Sequence, residues 1–493
     1  MDSLAGQSAV VVGGGFGGLS AACHLADQGA DVTLVEKNGQ LGGRASAFER
    51  DGFTFDMGPS WYLMPDVFER FFETFDHEPT DFFDLEHLDP HYRILFKDGD
   101  SVDMSGDLDA VRDTFESYED GAAEAFDRYL AQAEENYEVG MERFVYADRT
   151  DFRDYLSPEV ARSARGLSLL GTMDDHVADY FDHPKLRQIV QYSLVFLGGS
   201  PHNTPALYNL MSHVDFNLGV FYPEGGMHGV ADGVAELAHE LGVETRVNEP
   251  VERIDPYARS FVVETATDSH RANVVVSDAP YSHTEQDLLD PEYRQYDADY
   301  WADRTYAPSA FLLYLGVEGD VDPLEHHTLV LPEDWDPHFE SIFDRPAWPD
   351  DPAYYVCAAS ETDDSVAPAG HSNLMVLVPI APGLDDDPAG RETYRDAVLA
   401  DLAANAVDVR DRIVVEESFS VSDFADRYNS YQGTALGMAH TLTQTAMFRP
   451  PHRSSTLDGL YFTGANTTPG IGVPMCLISG ELTAGYVAED YGR

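Results

Sequence analysis

Apolar positions along this chain fall into short runs, and none approaches the roughly 20 residues needed to span a bilayer. Residues 8–12 (SAVVV) form a β-branched run of the kind that makes a buried parallel strand. Leu19, Ala22, Cys23, Leu25 and Ala26 then recur at helical spacing up to Gly29, and residues 31–35 predict a second strand that ends in Glu36. At the far end, residues 460–463 predict a strand, followed by a glycine-rich turn and an apolar helix after Pro474. Between these ends, Val67, Phe68, Phe71, Phe72 and Phe75 share one face of a helix within 62–75. Residues 107–145 read as acidic helix, and 184–221 combine LVFLGG with several aromatics. Residues 221–242 predict a glycine turn leading into a helix, with strands of the same sheet near 243–254 and 273–280. No internal repeat and no low-complexity linker interrupts the pattern.

Gly13, Gly15 and Gly18 lie between the first two predicted strands with G-x-G-x-x-G spacing. In that context Gly13 permits the tight turn, Gly15 lets the backbone approach a pyrophosphate, and Gly18 lets the helix pack closely on the strand. The helix N-terminus faces the phosphates, and Glu36 is placed to hydrogen-bond a ribose hydroxyl. The segment predicts dinucleotide binding, and residues 36–45 (EKNGQLGGRA) select the cofactor. A nicotinamide enzyme needs nothing special after the ribose acid, whereas a flavin must be held well beyond the pyrophosphate. Gly42, Gly43 and Arg44 supply a second close-approach loop and a guanidinium suited to phosphate, and Gly58, in FDMGPS, adds another tight turn. FAD is the expected cofactor. Gly464 to Asn466 can bring backbone amides to phosphate and ribitol, and the helix after Pro474 can point its positive end at the flavin, which brings in Gly472, Val473 and Met475. Lys37, beside Glu36, and Val251, in the strand read near 243–254, complete the residues assigned to the cofactor.

A nucleotide site drawn from both ends of a chain has to be closed by what lies between. The expected fold class is α/β: a Rossmann-like FAD-binding domain built from both termini, with an inserted α+β substrate domain. Residues 1–75, 221–285 and 421–493 are assigned to the cofactor domain, and 76–220 and 286–420 to the substrate domain. A length of 493 residues exceeds one compact core, and 43% hydrophobic residues supply packed interiors rather than disorder. Charge adds a second constraint. Asp and Glu number 88 against 30 Lys and Arg, for a formal charge of −58, and the lysines are Lys37, Lys97 and Lys185 alone. Such a chain strains against its own repulsion unless concentrated salt screens it, and this composition resembles that of proteins from extreme halophiles. With no basic stripe to neutralise phosphates, nucleic acid binding is disfavoured. Cys23, Cys357 and Cys476 lie far apart without metal-ligand spacing and read as packed thiols in a reducing compartment, so no metal site is expected. The stretch MDSLAGQSAVVVGGG lacks a positive leader and cleavage site, and the expected location is cytoplasmic.

The glycine motif with GGRA, the YPEGG turn at 222–226, HTLTQTAMFRP at 440–450 and TGANTTPGIGVPMCLISGE at 463–481 resemble the bacterial and archaeal phytoene and carotenoid desaturases, within the group that includes amine oxidases and protoporphyrinogen oxidase. The resemblance implies FAD-dependent introduction of C=C bonds into an acyclic polyene by hydride transfer to flavin N5, in an apolar tunnel that holds a long-chain carotenoid against the flavin. Two substrates stay open: phytoene, or a later carotenoid that gains a 3,4 double bond on a bacterioruberin-type route to C50 pigments. Arg153 and Asp154, in DFRDYL, match a segment of the family where an acid and an arginine assist near the flavin; an exposed ion pair of little weight is the other reading. His440 and Arg449 sit in the family motif, and Met475 and Cys476 would face the isoalloxazine. Related flavoproteins often carry Asp where this chain has Asn466, so hydrogen bonds to the ribityl chain or phosphate would differ in detail.

A carotenoid partitions into lipid, so peripheral contact with the cytoplasmic membrane face is expected. Residues 61–75 and 309–317 are the candidate apolar contacts, with protein core as their other reading. No second G-x-G-x-x-G unit follows a strand, so electrons are expected to leave to oxygen or a quinone. Two other functions compete: a flavin amine oxidase, which would need an aromatic cage beside the flavin, and a non-catalytic prenyl-lipid or carotenoid escort protein, which would tend to lose its cofactor loops.

Overall fold

The computed structural model describes residues 3–146, 171–441 and 443–492. Strand Ser8–Val12 is the centre of a five-stranded parallel sheet. It pairs with Val274–Ser277 on one side and Asp31–Val35 on the other, and Leu460–Phe462 and Glu244–Arg246 form the edges. Four valines of the two inner strands, Val10, Val11, Val275 and Val276, are at most 2% exposed, which is why these runs carry no polar alternation. Helix Phe16–Asp27 follows the glycine turn, and the C-terminal helix Val473–Tyr491 crosses it at close range. A Cβ at Gly480 would lie 2.5 Å from Ser20 Cβ, and Ser20 Oγ donates to the Leu477 carbonyl at 2.6 Å. The two ends of the chain are therefore one packed unit.

Of the strands read near 243–254, only Glu244–Arg246 joins this sheet. Val251–Tyr257 forms a separate antiparallel meander with Ser260–Thr265 and Ser269–Ala272. Its residues are largely solvated, with Ile254 alone fully buried, and a half-wet strand does not fit inside a covered parallel sheet.

A seven-stranded sheet makes the second half of the molecule, in the order Ile413–Phe419, Ser309–Glu318, His371–Ile380, Tyr354–Cys357, His327–Leu331, Tyr92–Phe96, Ser101–Met104. Its pairs are antiparallel except Tyr92–Phe96 with His327–Leu331. Residues 309–317 are all buried. Ala310, Leu312 and Tyr314 enter one core cluster and Phe311, Leu313, Leu315 and Val317 another, because the strand is covered on both faces. The helix predicted within 62–75 forms as Pro65–Glu73, and Val67, Phe68, Phe71 and Phe72 are buried, as is Phe75 just beyond it. The apolar face of that helix and residues 309–317 are thus part of the core. The acidic region 107–145 is two helices, Leu108–Tyr118 and Ala122–Gly140, parted at Gly121, whose φ of 86° is one an L-residue rarely adopts. Among the described residues, no helix is long and apolar enough to cross a membrane.

Candidate cofactor and substrate site

A cavity of about 560 Å³ opens along the C-terminal ends of the parallel strands and continues to the face of the seven-stranded sheet. Gly13, Gly15, Glu36, Lys37 and Val251 line its first part, and Gly43, Arg44, Gly58, Asn466, Gly472, Val473 and Met475 also line it. Twelve of the residues assigned to the cofactor are therefore brought to one wall system from segments hundreds of positions apart. Gly18 and Gly464 do not line it. Gly18 packs under the turn, where a Cβ would meet the Gly13 carbonyl oxygen at 2.1 Å, and the Gly464 amide donates to Ser479 Oγ at 2.9 Å, so it is not free for a phosphate. Arg153 and Asp154 lie outside the described residues.

The geometry is that of an anion cradle. Helix Phe16–Asp27 begins at Gly15 and helix Val473–Tyr491 at Gly472; neither has an acid in its first turn, and both turn a positive dipole end to the cavity, the first with its Gly15 and Gly18 amides on the Asp278 carboxylate and the second without a side-chain cap. Glu36, 6% exposed, accepts from the Gly14 amide at 2.8 Å and the Asn38 amide at 2.7 Å, which fixes its carboxylate at the rim of the turn. Lys37 turns its ammonium onto Asn429 Oδ1 at 2.8 Å and the Asp426 carbonyl, tying the 426–429 loop over the site. Arg44 donates through Nη2 to Ser430 Oγ at 2.8 Å, while its buried Nε has no partner. Burial pulls its pKa down from the usual guanidinium value, and an unpaired buried donor of this kind calls for an acceptor. At Gly58 a Cβ would lie 2.7 Å from the Arg44 carbonyl oxygen, so only glycine lets the two loops meet. Asn466 Oδ1 accepts from the Met438 amide at 3.2 Å.

Sequence reasoning missed Asp278. It stands just past strand Val274–Ser277, and a Cβ added to Gly15 would lie 2.5 Å from its Oδ2. Burial raises its pKa to about 7 against the opposing pull of the Gly18 amide. The available signal was an acid at the C-terminal end of an apolar run, where ligands of such sheets bind.

The other end of the cavity is apolar. Trp61, Tyr192, Leu329, Trp335, Tyr355 and Leu377 line it, and among the described lining residues the carboxylates are Glu36 and Asp278, both at the nucleotide end. The histidines here are fully engaged. His440 Nε2 accepts from the Ile471 amide at 3.1 Å and its Nδ1 meets the Tyr208 hydroxyl at 2.7 Å; burial, with Arg449 nearby, holds its pKa well below the usual value. His338 accepts from the Ala353 amide at 2.9 Å and meets the Pro379 carbonyl at 2.7 Å. Arg449, buried, donates to the carbonyls of Thr467, Gln444, Met438 and Ala465 and clasps the loops on which Asn466 and His440 sit.

Residues 16–488 match the family described as flavin containing amine oxidoreductase. The chain belongs to that family. It is 64% identical over 493 residues to the carotenoid 3,4-desaturase of Haloarcula japonica, covering 99% of this chain and 100% of that one. It is 33% identical over 494 residues to the 4,4'-diapophytoene desaturase (4,4'-diaponeurosporene-forming) of Staphylococcus haemolyticus, with 97% and 98% covered. Among solved structures, an oxidoreductase from Methanosarcina mazei matches with a TM-score of 0.65 at 15% identity (97% of this chain, 100% of that one), and a putrescine oxidase bound to putrescine with 0.63 at 16% (98% of each). At those identities the structures speak for the fold alone. The protein is an oxidoreductase with FAD as its cofactor, and the unpartnered Arg44 Nε, the two positive helix ends and Glu36 are a donor and acceptor set that fits it.

Asp278 gives a prediction with a definite sign. Its pKa in the folded protein is raised, so it is neutral below about pH 7 and gains charge above it. That new charge would face the diphosphate. FAD affinity, read by quenching of flavin fluorescence at fixed high salt, is expected to weaken as pH rises through about 7, and Asp278→Asn to flatten the slope. Equal slopes in the two proteins would leave Asp278 a packing residue.

Proposed function

We propose that this protein is an FAD-dependent carotenoid desaturase that introduces a 3,4 double bond into an acyclic carotenoid. The observation that carries the reading is the continuity of one cavity from the nucleotide cradle into an apolar channel without carboxylates among its described lining residues, on a chain 64% identical throughout to a carotenoid 3,4-desaturase. Residues 1–75, 221–285 and 421–493 hold the cofactor in this scheme, and 76–220 and 286–420 supply most of the channel.

Bound FAD supplies the hydride acceptor. The positive helix ends at Gly15 and Gly472 and the Arg44 guanidinium would hold its anionic part, and Glu36 its ribose. Leu329, Trp335 and Leu377 exclude water and align a stiff polyene. Loss of a hydride leaves a cation spread over that polyene, so the neighbouring proton becomes acidic and needs no strong base. The channel accords with this: His440 and His338 have both ring nitrogens occupied and act as positioning groups. Electrons then pass to a quinone or oxygen, and the protein works in concentrated salt, in peripheral contact with the cytoplasmic membrane face from which its substrate comes.

The test is expression in a salt-compatible host that accumulates either phytoene or a later acyclic carotenoid, followed by pigment analysis. Consumption of the later carotenoid with gain of one conjugated bond is the expected result; consumption of phytoene alone would move the enzyme earlier in the sequence. Leu377→Trp should narrow the channel and cut conversion roughly 100-fold through misplacement of the substrate, with the flavin absorbance of the purified protein unchanged. Full conversion in that variant would place the polyene elsewhere.

A further inference from the structure

A second cluster of ligand-type side chains lies behind the channel wall. His326 directly precedes strand His327–Leu331, and Cys357 ends strand Tyr354–Cys357, opposite His327 in register. The three are 4%, 0% and 7% exposed, and one donor atom from each lies within 4.8 Å of the others. Each ring is anchored at Nδ1 by a hydroxyl: His326 by Thr362 Oγ1 at 2.7 Å, and His327 by the Tyr355 hydroxyl at 2.7 Å, itself 2.8 Å from Ser60 Oγ. Both Nε2 atoms are buried without a partner. Two imidazoles oriented through one nitrogen with the other left bare form the arrangement of metal-ligating histidines. Packing alone gives no reason for it, since buried polar atoms are ordinarily paired.

We propose that His326, His327 and Cys357 form a zinc site, with the two Nε2 atoms and Sγ as ligands and a fourth position for water. Two neutral imidazoles and a thiolate suit Zn²⁺ in tetrahedral geometry and disfavour Mg²⁺ and Ca²⁺, which take oxygen ligands. Burial keeps the rings neutral with their lone pairs available. On binding, the Cys357 thiol leaves its hydrogen-bonded neighbours Tyr355 and Ser60, exchanges its S–H bond for an S–Zn bond and releases one proton to solvent. Zn–N and Zn–S lengths of about 2.0 and 2.3 Å put tetrahedral donors roughly 3.3–3.5 Å apart, so binding draws the cluster in.

The consequence reaches the channel. Trp61 stacks on His327 at 4.1 Å between ring centroids, and both Trp61 and Tyr355 line the cavity. Zinc on Nε2 requires the proton on His327 Nδ1, which then donates to the Tyr355 oxygen and turns that hydroxyl toward Ser60. The site would fix two aromatic walls of the channel from behind.

The test uses full-length protein with FAD bound, dialysed at high salt with excess Mg²⁺ to occupy surface carboxylates. About one equivalent of Zn²⁺ per chain is expected by elemental analysis, with an X-ray absorption spectrum showing one sulfur among nitrogen neighbours. Cys357→Val, which keeps an apolar side chain of similar size, is expected to lose the sulfur signal and at least tenfold in zinc affinity at unchanged FAD content. Thr362→Val removes no ligand and is expected to weaken zinc roughly 10- to 100-fold by releasing His326. Less than about a tenth of an equivalent in the unmodified protein, oxygen neighbours only, or equal zinc in Cys357→Val would overturn the proposal.

Discussion

Gly15→Val is expected to yield a folded protein that holds no flavin and converts no carotenoid. Gly15 sits at φ −74° and ψ 178°, which any residue adopts, so the effect is steric. A Cβ there would lie 2.5 Å from Asp278 Oδ2. The two methyls of valine would extend from that point over the start of helix Phe16–Asp27, where the diphosphate has to approach closely. A loss of three or more decades in FAD affinity, about 4 kcal/mol, is the expected scale. Flavin absorbance after reconstitution at high salt reads it directly, and circular dichroism at the same salt reads the fold. Gly485→Ala is the matched control, since a Cβ there meets nothing within 4 Å. It is expected to load FAD as the unmodified protein does. Flavin bound at full stoichiometry by Gly15→Val would remove the pyrophosphate from this turn.

The strand, glycine turn, helix and second strand over residues 8–36 are legible in the sequence because each feature there is local. Buried valines, glycine spacing and an acid at fixed separation need no knowledge of the remaining chain. The C-terminal turn is legible for the same reason. What is lost is whatever tertiary pairing creates. Asp278 gains meaning only when strand Val274–Ser277 lies beside Ser8–Val12 and its carboxylate comes up against Gly15. Residues 309–317 read from the sequence as core or as a surface for lipid, because an unbroken apolar run does not say what covers it. The structure answers with two separate core clusters, one on each face. Cys357 shows no metal-ligand spacing in sequence because His327 reaches it across a strand pair, 30 positions away. His440 reads from the sequence as a packed histidine ahead of a base, and the Ile471 amide and the Tyr208 hydroxyl occupy both its nitrogens.

Transfer from about 1 M to about 0.1 M KCl is expected to lower the unfolding midpoint by about 5 °C, equivalent to a loss of roughly 5 kcal/mol. The formal charge of −58 states the repulsion, and the structure shows how thinly it is answered. Lys185 serves both Asp98 and Asp100, at 2.7 and 2.8 Å. Lys97 serves both Asp351 and Asp401, at 2.7 and 2.9 Å, and Arg253 both Asp255 and Asp290, at 2.6 and 2.7 Å. One cation between two acids leaves a net negative charge at every such cluster. Partly exposed pairs of this kind contribute little singly, so the balance rests on mobile ions. The screening length grows from about 3 Å to about 10 Å over this change in salt, and clusters that ignored one another begin to repel. Calorimetry across the salt series checks the midpoint, with sucrose in dilute buffer as the comparison. Sucrose favours compact states by exclusion without screening charge, so it should recover only a minor part of the loss. A midpoint within about 2 °C across the series would mean that the acids are held apart well enough by the fold itself, and the composition would then have no bearing on the conditions this enzyme needs.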